Sequence, residues 1–180
     1  MSASLYSNYI EKTDRLEKKD RVLLKRSCGS MLSEADGQTL TVFYHLLPGS
    51  VKPYEEDLWF LALCIHCLWG EEDNEKRRPM EKQISAMKYR EDLTDSFDHR
   101  FTVLLDTPWN DDGYLNQKLT RMAKLLKQKG YPVDGAELLD ALLHWNAPDR
   151  YIQKKWVRAY CRTEDLIEDN ENRTEDKTEE

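Results

Sequence analysis

Cys64 and Cys67 stand at CxxC spacing with His66 between them, a pattern that can serve as a dithiol redox pair or as half of a zinc site. A zinc site of this kind needs a second CxxC or a histidine pair, and the chain has neither. Cys28 and Cys161 are single residues far away in sequence, and His45, His66, His99 and His144 are scattered without a partner at ligand spacing. The CxxC falls inside the most apolar stretch of the chain, so the pattern predicts buried free thiols, cysteine being a common small core residue. A Gly-rich phosphate loop, GxSxG and HExxH are all missing. Asp106, Asp111 and Asp112 flank Pro108 and the start of a helical pattern, where turn and capping roles account for them. The expectation is a non-enzyme without metal or cofactor.

The stronger candidate chemistry is the binding of an anion. Arg150, Lys154, Arg158 and Arg162 recur at every fourth position, and no acid lies between the first and the last. On a helix this row lies nearly opposite Ile152, Trp156 and Tyr160. Like charges at i, i+4 each oppose a helix by about 0.2–0.5 kcal/mol, so three such pairs cost about 1 kcal/mol unless an anion neutralises them. Arg121 and Lys124 repeat the feature on the helix face away from Leu119 and Met122.

The elements that must position these cations read as helices throughout. Leu115, Leu119, Met122 and Leu126 share one face of a helix that stops at Gly130, before Pro132. Asp134 followed by Glu137 is a helix start, with Leu138, Leu139, Leu142 and Trp145 continuing on one face, and Pro148-Asp149 opens a last helix. In the first half, helices are expected over about 16–28, ended by Gly29, over 39–47, ended by Pro48-Gly49, and over 53–69. This last helix is apolar on most sides and should be the core of its half. Residues 71–79 read as a mobile charged loop and subdomain boundary, 80–95 as an ambiguous, weakly amphipathic segment compatible with a short helix and a loop, and 96–105 as a helix packed through Phe97, Phe101 and Leu104 with Arg100 facing outward. The result is an all-α bundle of about eight helices. Its parts are a flexible segment 1–15, an N-terminal subdomain 16–78, a C-terminal subdomain 79–162 and an acidic tail 163–180.

The net charge of −7 argues against a nucleic-acid partner until it is divided along the chain. Residues 163–180 hold nine acids against Arg173 and Lys177, a balance of −7, so residues 1–162 are neutral overall. Within them, residues 115–162 hold ten bases against four acids and are locally +6. The tail's composition predicts disorder; such a tail either solvates the protein or folds back on the basic row. The longest apolar run, residues 58–69, is 12 residues long, where a membrane span needs about 20. With no signal-peptide pattern at the start, a cytoplasmic protein is expected.

Several of these residues together resemble a known family, the CasB-type small subunit of the type I-E CRISPR surveillance complex, Cascade. The likeness rests on Leu24-Lys25-Arg26, Phe43-Tyr44 with Leu46, Arg100-Phe101 with Leu104-Leu105, and a block from Leu119 to Tyr160. That block contains Arg121, Leu125-Leu126, Pro132-Val133-Asp134, Leu142-Leu143-x-Trp145 and Trp156-Val157-Arg158-Ala159-Tyr160. The resemblance implies two small helical subdomains, two copies in contact within the complex, no catalytic activity, and a basic surface toward CRISPR RNA and target DNA that helps hold the displaced strand. It assigns the nucleic-acid contacts to Lys25 and Arg26, Arg100, Arg121 with Lys124, and Arg150, Lys154 and Arg158. Two departures stand out: residues 80–95 lack the glycine-containing motif of the family, and Lys25 lacks the bidentate fork of arginine. From the residues alone, a helical protein-interaction adaptor without nucleic-acid contact is the alternative.

Overall fold

The computed structural model describes residues 2–110 and 112–161. Among them nine α-helices follow in chain order: α1 (Ser2–Glu11), α2 (Lys18–Arg26), α3 (Gly37–Leu46), α4 (Glu56–His66), α5 (Met80–Arg90), α6 (Asp95–Asp106), α7 (Tyr114–Lys129), α8 (Gly135–Leu143) and α9 (Tyr151–Cys161). Short 3-10 turns join several of them, and no strand forms among the described residues beyond an isolated bridge between Arg78 and Val133. The all-α class is as expected. Arg162 and the acidic tail lie outside the described residues.

Every side chain of α4 from Leu58 to His66 is buried, as an all-round apolar helix requires. The N-terminus of α8 abuts its last turn so closely that a Cβ at Gly135 would come within 2.8 Å of the His66 side chain. Only glycine fits there. Asp134 caps α8 as the sequence predicts, its carboxylate accepting from the N–H groups of Ala136 at 2.8 Å and Glu137 at 3.2 Å. Gly130 ends α7 in the left-handed conformation at φ 81°, again as expected. Trp145 and Trp156 meet edge to face at 5.1 Å and join the turn after α8 to α9. Buried side chains from Tyr6 to Trp156 belong to one hydrophobic cluster.

Two segments differ from expectation, and an ambiguous one takes a definite form. Residues 1–15, expected as a flexible lead-in, carry α1, which packs against α8 and buries Tyr6, Tyr9 and Ile10; the Tyr9 ring meets Trp59 edge to face at 4.8 Å. Residues 80–95 contain a regular helix, α5, anchored by the buried Met80, Ile84 and Met87. Residues 71–79, expected as a mobile loop, contain a 3-10 turn over Glu71–Lys76 followed by a half-buried arginine. The Arg77 guanidinium donates to the carbonyls of Val133 at 3.0 Å, Gly70 at 3.3 Å and His66 at 3.4 Å, and to the Asn74 side chain at 2.9 Å. Arg21 ties the same turn to α2 by donating to Glu71 at 2.8 Å. These long-range bonds satisfy carbonyls that a loop of this composition would leave to water.

Candidate nucleic-acid interface

Basic side chains gather along both flanks of α6. Phe97, Phe101, Leu104 and Leu105 turn its apolar stripe inward, which at 100° per residue leaves Arg100 on the edge next to α7 and Thr102 on the edge next to α9. The α7 stripe of Leu115, Leu119, Met122 and Leu126 is likewise buried, and this brings Lys118 and Arg121 to the same side. The groove between the two helices has a volume of about 560 Å³ and is walled by Arg100, Lys118, Arg121 and His99 over Val103 and Leu125. Among the described residues no carboxylate lines it. Arg100 and Arg121 are exposed and make no side-chain hydrogen bond or ion pair among the described residues. Two bare guanidinium groups facing one cleft make a site for an oxyanion with several acceptor oxygens, which arginine can grip bidentately.

The second flank lies between α6 and α9. Here a furrow of about 470 Å³ is lined by Thr102, Leu105, Arg150, Lys154, Val157 and Arg158, among others. Lys154 and Arg158, one turn apart, are exposed and without a partner among the described residues. Arg150 is different. The helix begins only at Tyr151, and Arg150 precedes it with a positive φ of 54°, so its side chain leaves the predicted row. Its guanidinium donates to the Leu105 carbonyl at 3.1 Å and to Asp106 at 2.9 Å, which fastens α9 to the end of α6 and neutralises the charge. Lys155 is also taken, since its ammonium lies 3.1 Å from the buried Glu81 carboxylate and 3.9 Å from Glu137.

The remaining predicted contacts lie elsewhere. Lys25 and Arg26 are exposed at the end of α2, and Arg26 joins Lys18 and Lys19 around an open groove between α2 and α3. Lys124 points away from the α6/α7 groove toward the end of α2, where its charge opposes the rise that burial imposes on the Cys28 thiol pKa. The structure thus brings Arg100 and Arg121 together, and Lys154 with Arg158, but it does not join all eight predicted residues in one groove. Lys118 is a wall residue that the sequence reading passed over. Its signal was present, because it precedes Arg121 by three positions and so shares a helix edge with it.

The CxxC lies in the core. Cys64 and Cys67 are buried free thiols, and burial raises both pKa values, that of Cys67 to about 12, which withholds the nucleophilic thiolate. His66 is held well below its ordinary pKa by burial, then by the charges of Arg77 and Arg21, and neither ring nitrogen has a hydrogen-bond partner among the described residues. Among the described residues no three His, Cys, Asp or Glu side chains gather as a metal site, and no helix is long and apolar enough to cross a membrane.

Residues 21–160 match the family of CRISPR-associated protein Cse2. The chain belongs to the Cse2 family. Members of this family are the small, non-catalytic subunit of type I-E Cascade. A chain of a CRISPR RNA-guided surveillance complex superposes with a TM-score of 0.75 at 16% identity, covering 94% of this chain and 99% of its own. CasB from M. ruber does so at 0.72 and 21% identity, over 93% and 97%. CasB from Thermus thermophilus reaches 0.68 at 20% identity, over 88% and 96%. No curated protein sequence matches. At these identities the solved structures speak to fold alone.

Proposed function

We propose that this chain serves in a CRISPR RNA-guided surveillance complex by holding nucleic-acid backbone in the basic grooves that flank α6. The observation that carries this reading is the approach of Arg100 and Arg121 from two different helices onto one cleft that no carboxylate of the described residues lines. Lys154 and Arg158 extend the same chemistry to the opposite flank. Such cations contact phosphates, release counterions and read no sequence, which suits a subunit that must serve any guide. The anion is the CRISPR RNA and target DNA of the R-loop. Two copies in contact along the complex would align their grooves into a longer track. Because residues 1–162 are neutral overall, affinity should be weak for the isolated chain and strong only in the assembled complex.

The test is to assemble the complex with Arg121→Ala or Lys154→Ala and to measure target binding with two unrelated guides. Each variant is expected to lose affinity to the same extent on both sequences. A loss confined to one sequence, or no loss on either, contradicts the reading.

A further inference from the structure

The furrow between α6 and α9 does not end at Arg158. It continues past Val157, Thr102 and Leu105, which line both of its ends, and runs to Tyr160 and Cys161. Its floor is apolar, and Val157 in the middle is 43% exposed, a large aliphatic side chain left uncovered by the described residues. Its wall carries Lys154 and Arg158, which have no partner among the described residues. Of the acids that line it, Asp106 is bonded to Arg150 and Asp98 to Lys88 and Tyr160, which leaves Asp92 at the far rim.

Cys161, the last described residue, lines the end of this furrow, and residues 163–180 follow it in the sequence after Arg162. Their only aliphatic side chains are Leu166 and Ile167, bracketed by Glu164-Asp165 on one side and Glu168-Asp169 on the other. An apolar pair between acidic pairs is the complement of an exposed valine between two cations. The reach is sufficient. Five extended residues beyond Cys161 span up to about 17 Å, whereas Val157 lies about 6 Å and Lys154 about 10 Å back along the helix.

We propose that in the free chain residues 164–169 dock in the α6/α9 furrow, with Leu166 and Ile167 on Val157 and Leu105 and the four carboxylates against Lys154 and Arg158. Docked there, the segment shields these two cations from nucleic acid until a polyanion displaces it. The docking stands on its own, and the shielding rests on the nucleic-acid reading above.

Docking is tested on the full-length free chain by carbodiimide coupling, which links a lysine to a carboxylate in direct contact. The expected product on the monomer joins Lys154 to residues 164–169, and it disappears in the Leu166→Ser/Ile167→Ser variant. No such link, or a link that survives the double substitution, overturns the docking. Shielding is tested by the affinity of the same two chains for an oligothymidylate at low salt. Apparent affinity scales with the open fraction, so a segment docked about four-fifths of the time weakens binding about fivefold. The double-serine chain should therefore bind about fivefold more tightly. Equal affinities overturn the shielding while leaving a detected link intact. If Lys154→Ala, placed in the double-serine chain, leaves affinity unchanged, the nucleic-acid reading of this flank fails and the docking does not.

Discussion

Residues 76–78, Lys-Arg-Arg, and the α6/α7 groove each hold three cations, and the two regions use them in opposite ways. In the first, Arg77 donates to three main-chain carbonyls and an asparagine, and Arg78 donates to the carbonyls of Glu75 at 2.9 Å and Arg77 at 2.7 Å. In the second, Arg100 and Arg121 meet no protein partner among the described residues. Arg77 and Arg78, adjacent in the sequence, became part of the framework, whereas Arg100 and Arg121, 21 positions apart and brought together by packing, have no partner among the described residues. A run of like charges is therefore a poor guide to a binding site. The absence of a partner in the folded chain is a better one.

The comparison predicts that the two kinds of cation respond to different measurements. Arg77→Ala strips partners from buried carbonyls at the junction of α4, α5 and α8, and should cost about 2–4 kcal/mol in denaturant unfolding. A cost under about 1 kcal/mol would make Arg77 another surface cation and erase the contrast. His66, beside that junction, is held neutral by burial, so the unfolded chain takes up a proton that the folded chain refuses. Its contribution is present above the unfolded value near 6.5 and is lost as the pH falls below it, at up to about 1.4 kcal/mol per pH unit. His66→Leu should flatten that part of the pH–stability curve, and an unchanged slope would assign the acid sensitivity to other groups.

Lys155→Ala leaves the Glu81 carboxylate, 3% exposed, without its cation. Because the lysine is half exposed, the cost should be about 1–2 kcal/mol rather than that of a fully buried pair. Its effect on nucleic-acid binding should be smaller than that of its neighbour Lys154. The smallest stability changes are expected for Arg100→Ala and Arg121→Ala, within about 0.5 kcal/mol of the parent. A larger loss would mean that these arginines hold α6 to α7 and are not free for a ligand.

Local signals carried much of the fold. The four-residue returns of Leu115, Leu119, Met122 and Leu126, the Gly130 stop and the Asp134 cap are all short-range features, and α7 and α8 lie where they point. The burial of Cys64 and Cys67 followed from the apolar stretch around them. α1 was missed although Leu5, Tyr6, Tyr9 and Ile10 have helical spacing, because its partner, α8, lies about 130 positions away. The family match bears on the fold and the assembly. It does not reach the individual contacts, and there the sequence was a partial guide. Arg100 and Arg121 are prominent in it, but their meeting depends on how α6 packs on α7. Arg150 broke the predicted row because helical periodicity was extended one residue past the true start, into a turn with positive φ. Arg77 was hidden in a charged run, since nothing short-range distinguishes a guanidinium that reaches Val133 from one in water.

Nucleic-acid affinity as a function of salt, measured in the assembled complex for Arg100→Ala/Arg121→Ala and for Lys155→Ala, separates a phosphate-binding cation from a structural one. The double arginine variant is expected to keep its melting temperature and to lose about two units from the log–log salt slope, one for each phosphate contact, while Lys155→Ala melts earlier on an unchanged slope. An unchanged slope in the double arginine variant would contradict the phosphate-binding role.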